Sequence, residues 1–313
     1  CTDATTDENV WTNVGAGSGD IAPASWYGSR GVFGGGWRLS AVEKTEYITI
    51  ATPGNATDFG VLTRNRENLS GTSNGSRGLF ISGWDRSPNA TTDIIDYITV
   101  STLGNSIDFG DATHPTYYHT SCSNGPRAVT AGGALQSPWA YYNNIDYVTI
   151  ATLGNAIDFG DLTAAKYGMA GLANATRGVF GGAYTSGYLD EIEYITVATP
   201  GNATDFGDLL AARQVMGATS SETRGVWMGG DTYSNVIQYI TIANTGNSTD
   251  FGDLTAATWG GAGCGDGARG INAGGHTGSY TDTINYLTIS TPGNAIDFGN
   301  MTENKYTSAL AGT

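Results

Sequence analysis

The sequence predicts an all-β protein, a six-bladed β-propeller in which each blade is a sheet of four antiparallel strands. The tripeptide Asp-Phe-Gly occurs six times at intervals of 45 to 50 residues, and a period in this range indicates a repeat architecture. Each repeat contains short runs of β-branched and aromatic residues bounded by Gly, Pro or Asn, and no run has a sustained helical period with caps. The six tripeptides begin at Asp58, Asp108, Asp158, Asp205, Asp250 and Asp297.

The predicted strands can be followed in the fourth repeat. Residues 177–182, Arg-Gly-Val-Phe-Gly-Gly, form one strand, and its terminal glycines permit close approach of another backbone. Residues 193–197, Glu-Tyr-Ile-Thr-Val, form the next strand, with both faces suited to packing. A tight Pro-Gly-Asn turn then leads into a strand at residues 203–207. The remaining strand, at residues 214–219, precedes the polar turn that opens the next repeat.

One loop of each repeat varies in length. The separation from the Gly of Asp-Phe-Gly to the Arg that opens the next repeat is always 17 residues, whereas the separation from that Arg to the following Tyr ranges from 15 to 20. The variable loop therefore joins the second and third strands of a blade. Because successive strands are antiparallel, we expect these loops to share one face of the ring with the connections between blades.

Two positions of the repeat match a known propeller family, and a third departs from it. Gly181-Gly182 ends the second predicted strand, Tyr194 lies in the third and Phe206 lies in the fourth. The pattern resembles the Kelch family, which has Gly-Gly and Tyr at the first two places but usually Trp where this chain has Phe206. The resemblance, that of a divergent Kelch-like repeat, covers residues 30–313 and implies a ring of radial blades.

The two ends of the sequence suggest how the ring closes. Residues 301–312 align with residues 162–173, so they have the pattern of a first strand without a blade of its own. We expect this C-terminal strand to complete the first blade and close the ring, which removes exposed sheet edges. The alternative is that residues 21–26 supply that strand and the tail begins a further blade. Residues 1–20 are polar and then rich in Gly and Ser, which predicts a flexible lead-in to a propeller at residues 21–313.

Charge and composition disfavour several classes of partner. The 313 residues carry a formal net charge of −15, which argues against nucleic acid and anionic membranes. No apolar run approaches membrane-spanning length, so we expect no membrane insertion. The chain starts at Cys1 rather than Met, and we expect it to be part of a larger polypeptide or assembly.

Residue patterns that indicate catalysis or metal binding are missing. Asp-Phe-Gly occurs in the metal site of protein kinases, but here it lacks the Gly-rich loop, strand Lys and His-Arg-Asp loop of that family. The form Asp-Phe-Gly-Asp lacks the ligand spacing of a calcium loop, and the three histidines lack zinc-site spacing. We therefore predict no catalytic residue, no metal and no cofactor, although a catalytic triad assembled in space stays possible.

A recurring Arg and the recurring Asp are predicted to have structural roles. One of each per blade could form a charge-matched pair, with the Asp alternatively accepting hydrogen bonds from its own turn. The arginines are Arg30, Arg77, Arg127, Arg177, Arg224 and Arg269.

Aromatic residues concentrate in the variable loops and in the connections between blades. Aromatic rings beside Asn, Asp and Ser on a repetitive scaffold suit ligand recognition, and sugars in particular. Some of these rings are alternatively expected to pack over Gly-rich blade ends. The candidate ligand-binding residues are Trp37, Trp84, Tyr117, Tyr118, Trp139, Tyr141, Tyr142, Tyr184, Tyr188, Tyr233, Trp259 and Tyr280.

The repeat phrase Thr-Pro-Gly-Asn-Ala-Thr-Asp-Phe-Gly-Asp-Leu is similar to repeats in large virion proteins of marine tailed phages, especially tail-fibre and appendage proteins. The similarity implies a non-enzymatic module on a virion or extracellular surface. We expect it to bind a host-surface glycan or protein, or other virion proteins. Two alternatives stay open: a carbohydrate-active enzyme or oxidase built on a propeller, and a domain that serves only fibre assembly.

Overall fold

The computed structural model describes residues 3–4, 9–10, 26–38, 42–306 and 309–311. These residues form strands, turns and irregular segments, with no helix among them. Six antiparallel sheets follow one another along the chain, each with four strands in the order first, second, third and fourth. The predicted all-β, six-bladed propeller is confirmed. The lead-in at residues 1–20 lies outside the described residues, apart from the paired strands Asp3–Ala4 and Asn9–Val10.

The first strands are innermost, and residues of those in blades two to six line the central channel. In blades one to six they are Ala309–Ala311, Ser70–Ser73, Thr120–Ser123, Ala170–Ala173, Gly217–Ser220 and Ala262–Gly265. The second strands are Arg30–Gly34, Arg77–Asp85, Arg127–Ala131, Arg177–Tyr184, Arg224–Met228 and Arg269–Ala273.

The third and fourth strands complete each blade towards its outer edge. The third strands are Lys44–Thr49, Ala90–Thr99, Asn144–Thr149, Tyr188–Thr196, Ser234–Thr241 and Thr283–Thr288. The fourth strands are Thr57–Val61, Ile107–Asp111, Ile157–Asp161, Thr204–Asp208, Thr249–Thr258 and Ile296–Asn300. Two blades have additions: Arg66–Glu67 pairs with the second strand of blade two, and Ala134–Gln136 forms a hairpin with Trp139–Tyr141 in blade three.

The C-terminal strand lies beside the first blade. Ala309–Ala311 pairs antiparallel with Arg30–Gly34, with Ala309 opposite Gly34 and Ala311 opposite Val32. Blade six also contacts blade one directly, since the Gly54 N–H donates to the Phe298 carbonyl at 2.8 Å. Closure of the ring by the C-terminal strand stays a prediction that a truncation of this strand would test. The alternative strand at residues 21–26 falls outside the described residues except for Trp26.

The hydrophobic core is distributed between neighbouring blades. The Phe of each Asp-Phe-Gly meets the recurring Tyr of its blade edge to face, as in Tyr194 and Phe206, whose ring centroids are 5.8 Å apart. Val226 and Phe251 of blade five form one cluster with Leu287 and Ile289 of blade six. Each pair of blades thus buries the β-branched and aromatic residues that the strand pattern repeats.

The recurring Arg binds each blade to the next. Arg177 lies over the ring of Tyr194, 4.6 Å from its centroid, and donates to the Ile242 carbonyl of the next blade at 2.8 Å. The six arginines make equivalent bonds: Arg30 to Val100, Arg77 to Ile150, Arg127 to Val197, Arg177 to Ile242, Arg224 to Ile289 and Arg269 to Ile50.

The predicted pairing of this Arg with the recurring Asp is wrong. No ion pair joins the two sets in the part of the chain that the structure describes, and all six aspartates are exposed. The reason is their position, because the aspartates lie on the outermost strand with solvent beside them, whereas each Arg reaches a backbone carbonyl of the neighbouring blade. The exposed set is Asp58, Asp108, Asp158, Asp205, Asp250 and Asp297.

The recurring Asn forms a second bond between blades. Asn202 Oδ1 in blade four accepts from the Asp161 N–H of blade three at 3.1 Å, and the Ala203 N–H donates to the Asp161 carbonyl at 2.8 Å. The same side-chain bond is made by Asn55, Asn105, Asn155, Asn202, Asn247 and Asn294. We call the side of the ring with these turns the turn face, and the opposite side, with the variable loops and the connections between blades, the variable face.

Candidate functional site

Short backbone bridges bring the variable loops against the connections between blades. Tyr167, in the connection after blade three, pairs with Tyr184 in the loop of blade four. Trp37 pairs with Tyr306 in the same manner, Tyr117 with Ala134, and Trp259 with His276. Loops and connections therefore lie together on the variable face, as the strand order predicts, and their aromatic residues become neighbours.

Most of the candidate aromatic residues form two clusters. The first spans blades two to four, with neighbouring ring centroids 5.0 to 6.4 Å apart. Its members are Trp84, Tyr117, Tyr118, Trp139, Tyr141, Tyr167, Tyr184 and Tyr188. We call it the blade two-to-four cluster.

The second cluster spans blades five, six and one, and we call it the blade five-to-one cluster. Tyr280 and Tyr306 stack with centroids 5.5 Å apart, and Trp37 Nε1 donates to the Tyr280 hydroxyl at 3.0 Å. His276 lies between Tyr233 and Trp259, and its Nδ1 is 2.9 Å from the Tyr233 hydroxyl. Tyr142 belongs to neither cluster and lies beside His114, 5.0 Å between ring centroids.

The rings differ in how much of their surface a ligand can reach. Trp139, Tyr233 and Tyr188 are exposed, at 56%, 45% and 40% of their surface. Trp84 and Tyr117 are buried. For these two residues, the structure agrees with packing over the blade ends and not with exposure to a ligand. The other seven candidates are half-buried: Trp37, Tyr118, Tyr141, Tyr142, Tyr184, Trp259 and Tyr280.

A cavity opens into the central channel beneath these clusters. It has a volume of about 130 Å³, and its walls are the first strands of blades two to six together with Asn68, Tyr118, Met169 and Met216. Connections between blades, such as Gly260, also line it, which places it towards the variable face. Polar and apolar groups contribute about equally to its surface, so a ligand there could find both hydrogen-bonding groups and apolar contacts.

The other end of the channel is covered by a segment that precedes blade one. Trp26 and Tyr27 stack with centroids 5.3 Å apart and line a second cavity of about 50 Å³, together with Cys122 and Cys264. Gly125, in a turn of blade three, lies so close to Trp26 that a Cβ there would stand only 3.0 Å from the Trp26 Cβ. The channel is therefore approached more readily from the variable face. Sequence reasoning missed this segment, because Trp26-Tyr27 has no counterpart in the repeat.

One histidine faces this channel. His119 Nε2 lies 2.6 Å from the Ser70 hydroxyl, and both residues are buried in the cavity wall. Burial, together with the charge of Arg66, lowers the pKa of His119 to about 3. A general base works best with a pKa near the operating pH, so this neutral imidazole suits hydrogen bonding better than activation of the Ser70 hydroxyl.

The described residues contain no group of three or more His, Cys, Asp or Glu side chains arranged to hold a metal ion. Cys122 and Cys264 are buried and free, and burial raises the pKa of the Cys122 thiol to about 12. No helix long and apolar enough to cross a membrane occurs among the described residues.

No protein-family model matches the chain, and no curated protein matches it.

Proposed function

We propose that this chain is a non-enzymatic binding module of an extracellular or virion appendage that recognises glycans on a host surface through its variable face. The observation that carries the proposal is the position of Trp139, Tyr188 and Tyr233, which are exposed on the variable face, towards which the channel cavity opens. Aromatic rings present a flat apolar face to a sugar ring while neighbouring polar groups bind its hydroxyls.

Polar groups beside the exposed rings support a sugar as the ligand. The Tyr188 hydroxyl donates to Asp231 Oδ2 at 3.0 Å, and the side-chain amide of Gln214 donates to the same oxygen at 2.9 Å. This arrangement holds a carboxylate next to an aromatic face, where it can accept hydrogen bonds from sugar hydroxyls. The formal net charge of −15 favours neutral glycans over strongly anionic ones.

A glycan array that is also assayed for released products tests the proposal. The expected result is binding to a defined set of neutral glycans with no product released, and loss of that binding in Trp139→Ala. The matched control is Leu153→Ala, because Leu153 is exposed to a similar degree, 57%, but lies in a turn on the other face. Product release would favour a carbohydrate-active enzyme, and no binding to any glycan would favour a protein ligand or an assembly domain.

A further inference from the structure

Buried polar pairs join neighbouring blades just beneath the variable face. The residue before each recurring Tyr is a buried hydrogen-bond acceptor, and in three junctions it pairs with a cation from the connection that leads into its blade. Asp96 lies 2.6 Å from Arg66, Glu193 lies 2.6 Å from Lys166, and Glu46 lies 2.8 Å from Lys305. Each cation is the sixth residue after the Gly of Asp-Phe-Gly.

The junction between blades two and three keeps the acid but replaces the cation. Asp146 is the residue before Tyr147, and Thr116 is the sixth residue after Gly110. Thr116 has the same backbone position as the cations, because its carbonyl accepts from Gly83 N–H at 2.8 Å just as the Lys166 carbonyl accepts from Gly133 N–H at 3.0 Å. The side-chain charge that neutralises the carboxylate in three sister junctions is therefore missing from this one.

One oxygen of Asp146 has no protein partner among the described residues. Asp146 is only 7% exposed, and its Oδ2 accepts from the Thr113 hydroxyl, which also contacts His114 Nδ1. The other oxygen, Oδ1, is buried and accepts no hydrogen bond from the protein. A buried carboxylate oxygen without a partner is costly, so its environment favours either a proton or a bound cation.

A small cavity lies against this carboxylate. It has a volume of about 10 Å³, enough for one water-sized occupant, and Asp146, Ser82, Thr116 and the imidazoles of His114 and His119 are among its lining residues. Ser82 is 1% exposed, and its hydroxyl also has no hydrogen-bond partner in the described part of the chain. The cavity thus offers one carboxylate and several hydroxyl groups beside two imidazoles.

The pKa values of the buried carboxyl groups reflect the presence or absence of a partner cation. Burial alone would raise the pKa of Glu46, but Lys305 and Thr302 reverse the effect and hold it below its usual value. Burial raises the pKa of Asp146, and the bond from Thr113 and the charge of His114 offset that rise only in part. The two sites differ because Lys305 in the connection bonds Glu46 directly, whereas Thr116 has the corresponding place beside Asp146.

We propose that the cavity between blades two and three binds a monovalent cation of the alkali-metal or ammonium class, whose charge replaces the side-chain cation of the sister junctions. A monovalent ion fits better than a divalent one, because a single carboxylate balances one positive charge and divalent ions prefer several carboxylates. This inference does not depend on glycan binding.

Melting temperatures in different chloride salts at equal ionic strength test the proposal. The salts are those of sodium, potassium, ammonium and tetramethylammonium, the last being too large for the cavity. The melting temperature of the unaltered protein should be higher by roughly 1–3 °C in at least one of the small cations than in tetramethylammonium. Asp146→Asn, which reproduces the neutral Thr258 and Asn285 combination of the junction between blades five and six, should lose this difference.

Two further variants separate a specific site from a general salt effect. Thr116→Lys supplies a side-chain ammonium and should also remove the dependence on the cation. Asp297→Asn, at the equivalent exposed Asp of blade six, should keep it. Equal melting temperatures of the unaltered protein in all four salts would overturn the proposal, and so would a difference that persists undiminished in Asp146→Asn. If Thr116→Lys does not fold, Asp146→Asn alone decides.

Discussion

The turn face and the variable face of this propeller use their residues in opposite ways. On the turn face, all six repeats place the same Arg over the same Tyr and make the same Asn bond to the preceding blade. On the variable face, loops differ in length, rings differ in exposure, and the buried pairs between blades differ in charge. Repetition therefore marks the residues that hold the ring together, and variation marks the face that is free to acquire a ligand.

The largest effect is expected from removing the C-terminal strand. Deletion of residues 307–313 takes away Ala309–Ala311 and bares the edge of Arg30–Gly34, where Val32 and Phe33 are buried. We expect a loss of roughly 5 kcal/mol or more in the free energy of unfolding, measured in urea, because backbone bonds and apolar burial are lost together. Deletion of residues 312–313 alone is the control. Equal stability of the two deletions would show that another segment closes the ring.

The next largest loss of stability is expected when a buried charge beneath the variable face is left unpaired. Arg66→Thr leaves Asp96 buried without its cation, so the free energy of unfolding should fall by about 3–5 kcal/mol in urea unfolding. The double variant Arg66→Thr with Asp96→Asn copies the Thr258 and Asn285 junction and should recover part of this loss. A double variant no more stable than the single one would show that unpaired charge is not the cause.

Removing one Arg of the turn face should have a smaller effect. Arg177→Ala loses both the contact with the Tyr194 ring and the bond to the Ile242 carbonyl, and we expect a loss of about 2–4 kcal/mol by urea unfolding. Arg38→Ala, at an exposed Arg outside the repeat pattern, is the control and should change stability little. An unchanged melting temperature of Arg177→Ala would show that this Arg does not stabilise the protein.

Removing one Asn of the turn face should cost less again. Asn202→Ala deletes the acceptor of the Asp161 N–H and should lower the free energy of unfolding by about 0.5–1.5 kcal/mol, measured by thermal unfolding. Asn304→Ala, at an exposed Asn beside Tyr280, provides the comparison on the other face. If Asn304→Ala lowered the free energy of unfolding more than Asn202→Ala, the stated difference between the two faces would be contradicted.

The sequence predicted the ring because the repeat sets every strand and every turn of the scaffold. The positions of Arg177, Tyr194 and Phe206 recur at nearly fixed spacing, so strand order and the variable loop follow from the pattern. The partner of Arg177 did not follow, because a backbone carbonyl has no sequence signature, whereas the recurring Asp is an acidic residue present in all six repeats.

The candidate site was only partly predictable. The loops were identified by their varying length, but the burial of Trp84 and Tyr117 depends on backbone bridges such as Tyr117 to Ala134, which no residue pattern encodes. The buried ion pairs between blades were missed, although the sequence contains a signal for them. Lys166 and Lys305 occupy the same place in the repeat, and Glu193 and Glu46 both precede the recurring Tyr. Alignment of the repeats at these two positions also shows that Asp146 has a Thr in place of the cation.

The central claim is that the variable face recognises the ligand while the turn face serves stability. The most direct measurement is glycan binding by calorimetry, at a temperature where all proteins are folded, for Trp139→Ala, Asn202→Ala and the unaltered chain. We predict that Trp139→Ala loses binding while its stability changes by no more than about 0.5 kcal/mol, and that Asn202→Ala binds normally but melts at a lower temperature. Normal binding by Trp139→Ala, with binding lost in Asn202→Ala, would contradict the account.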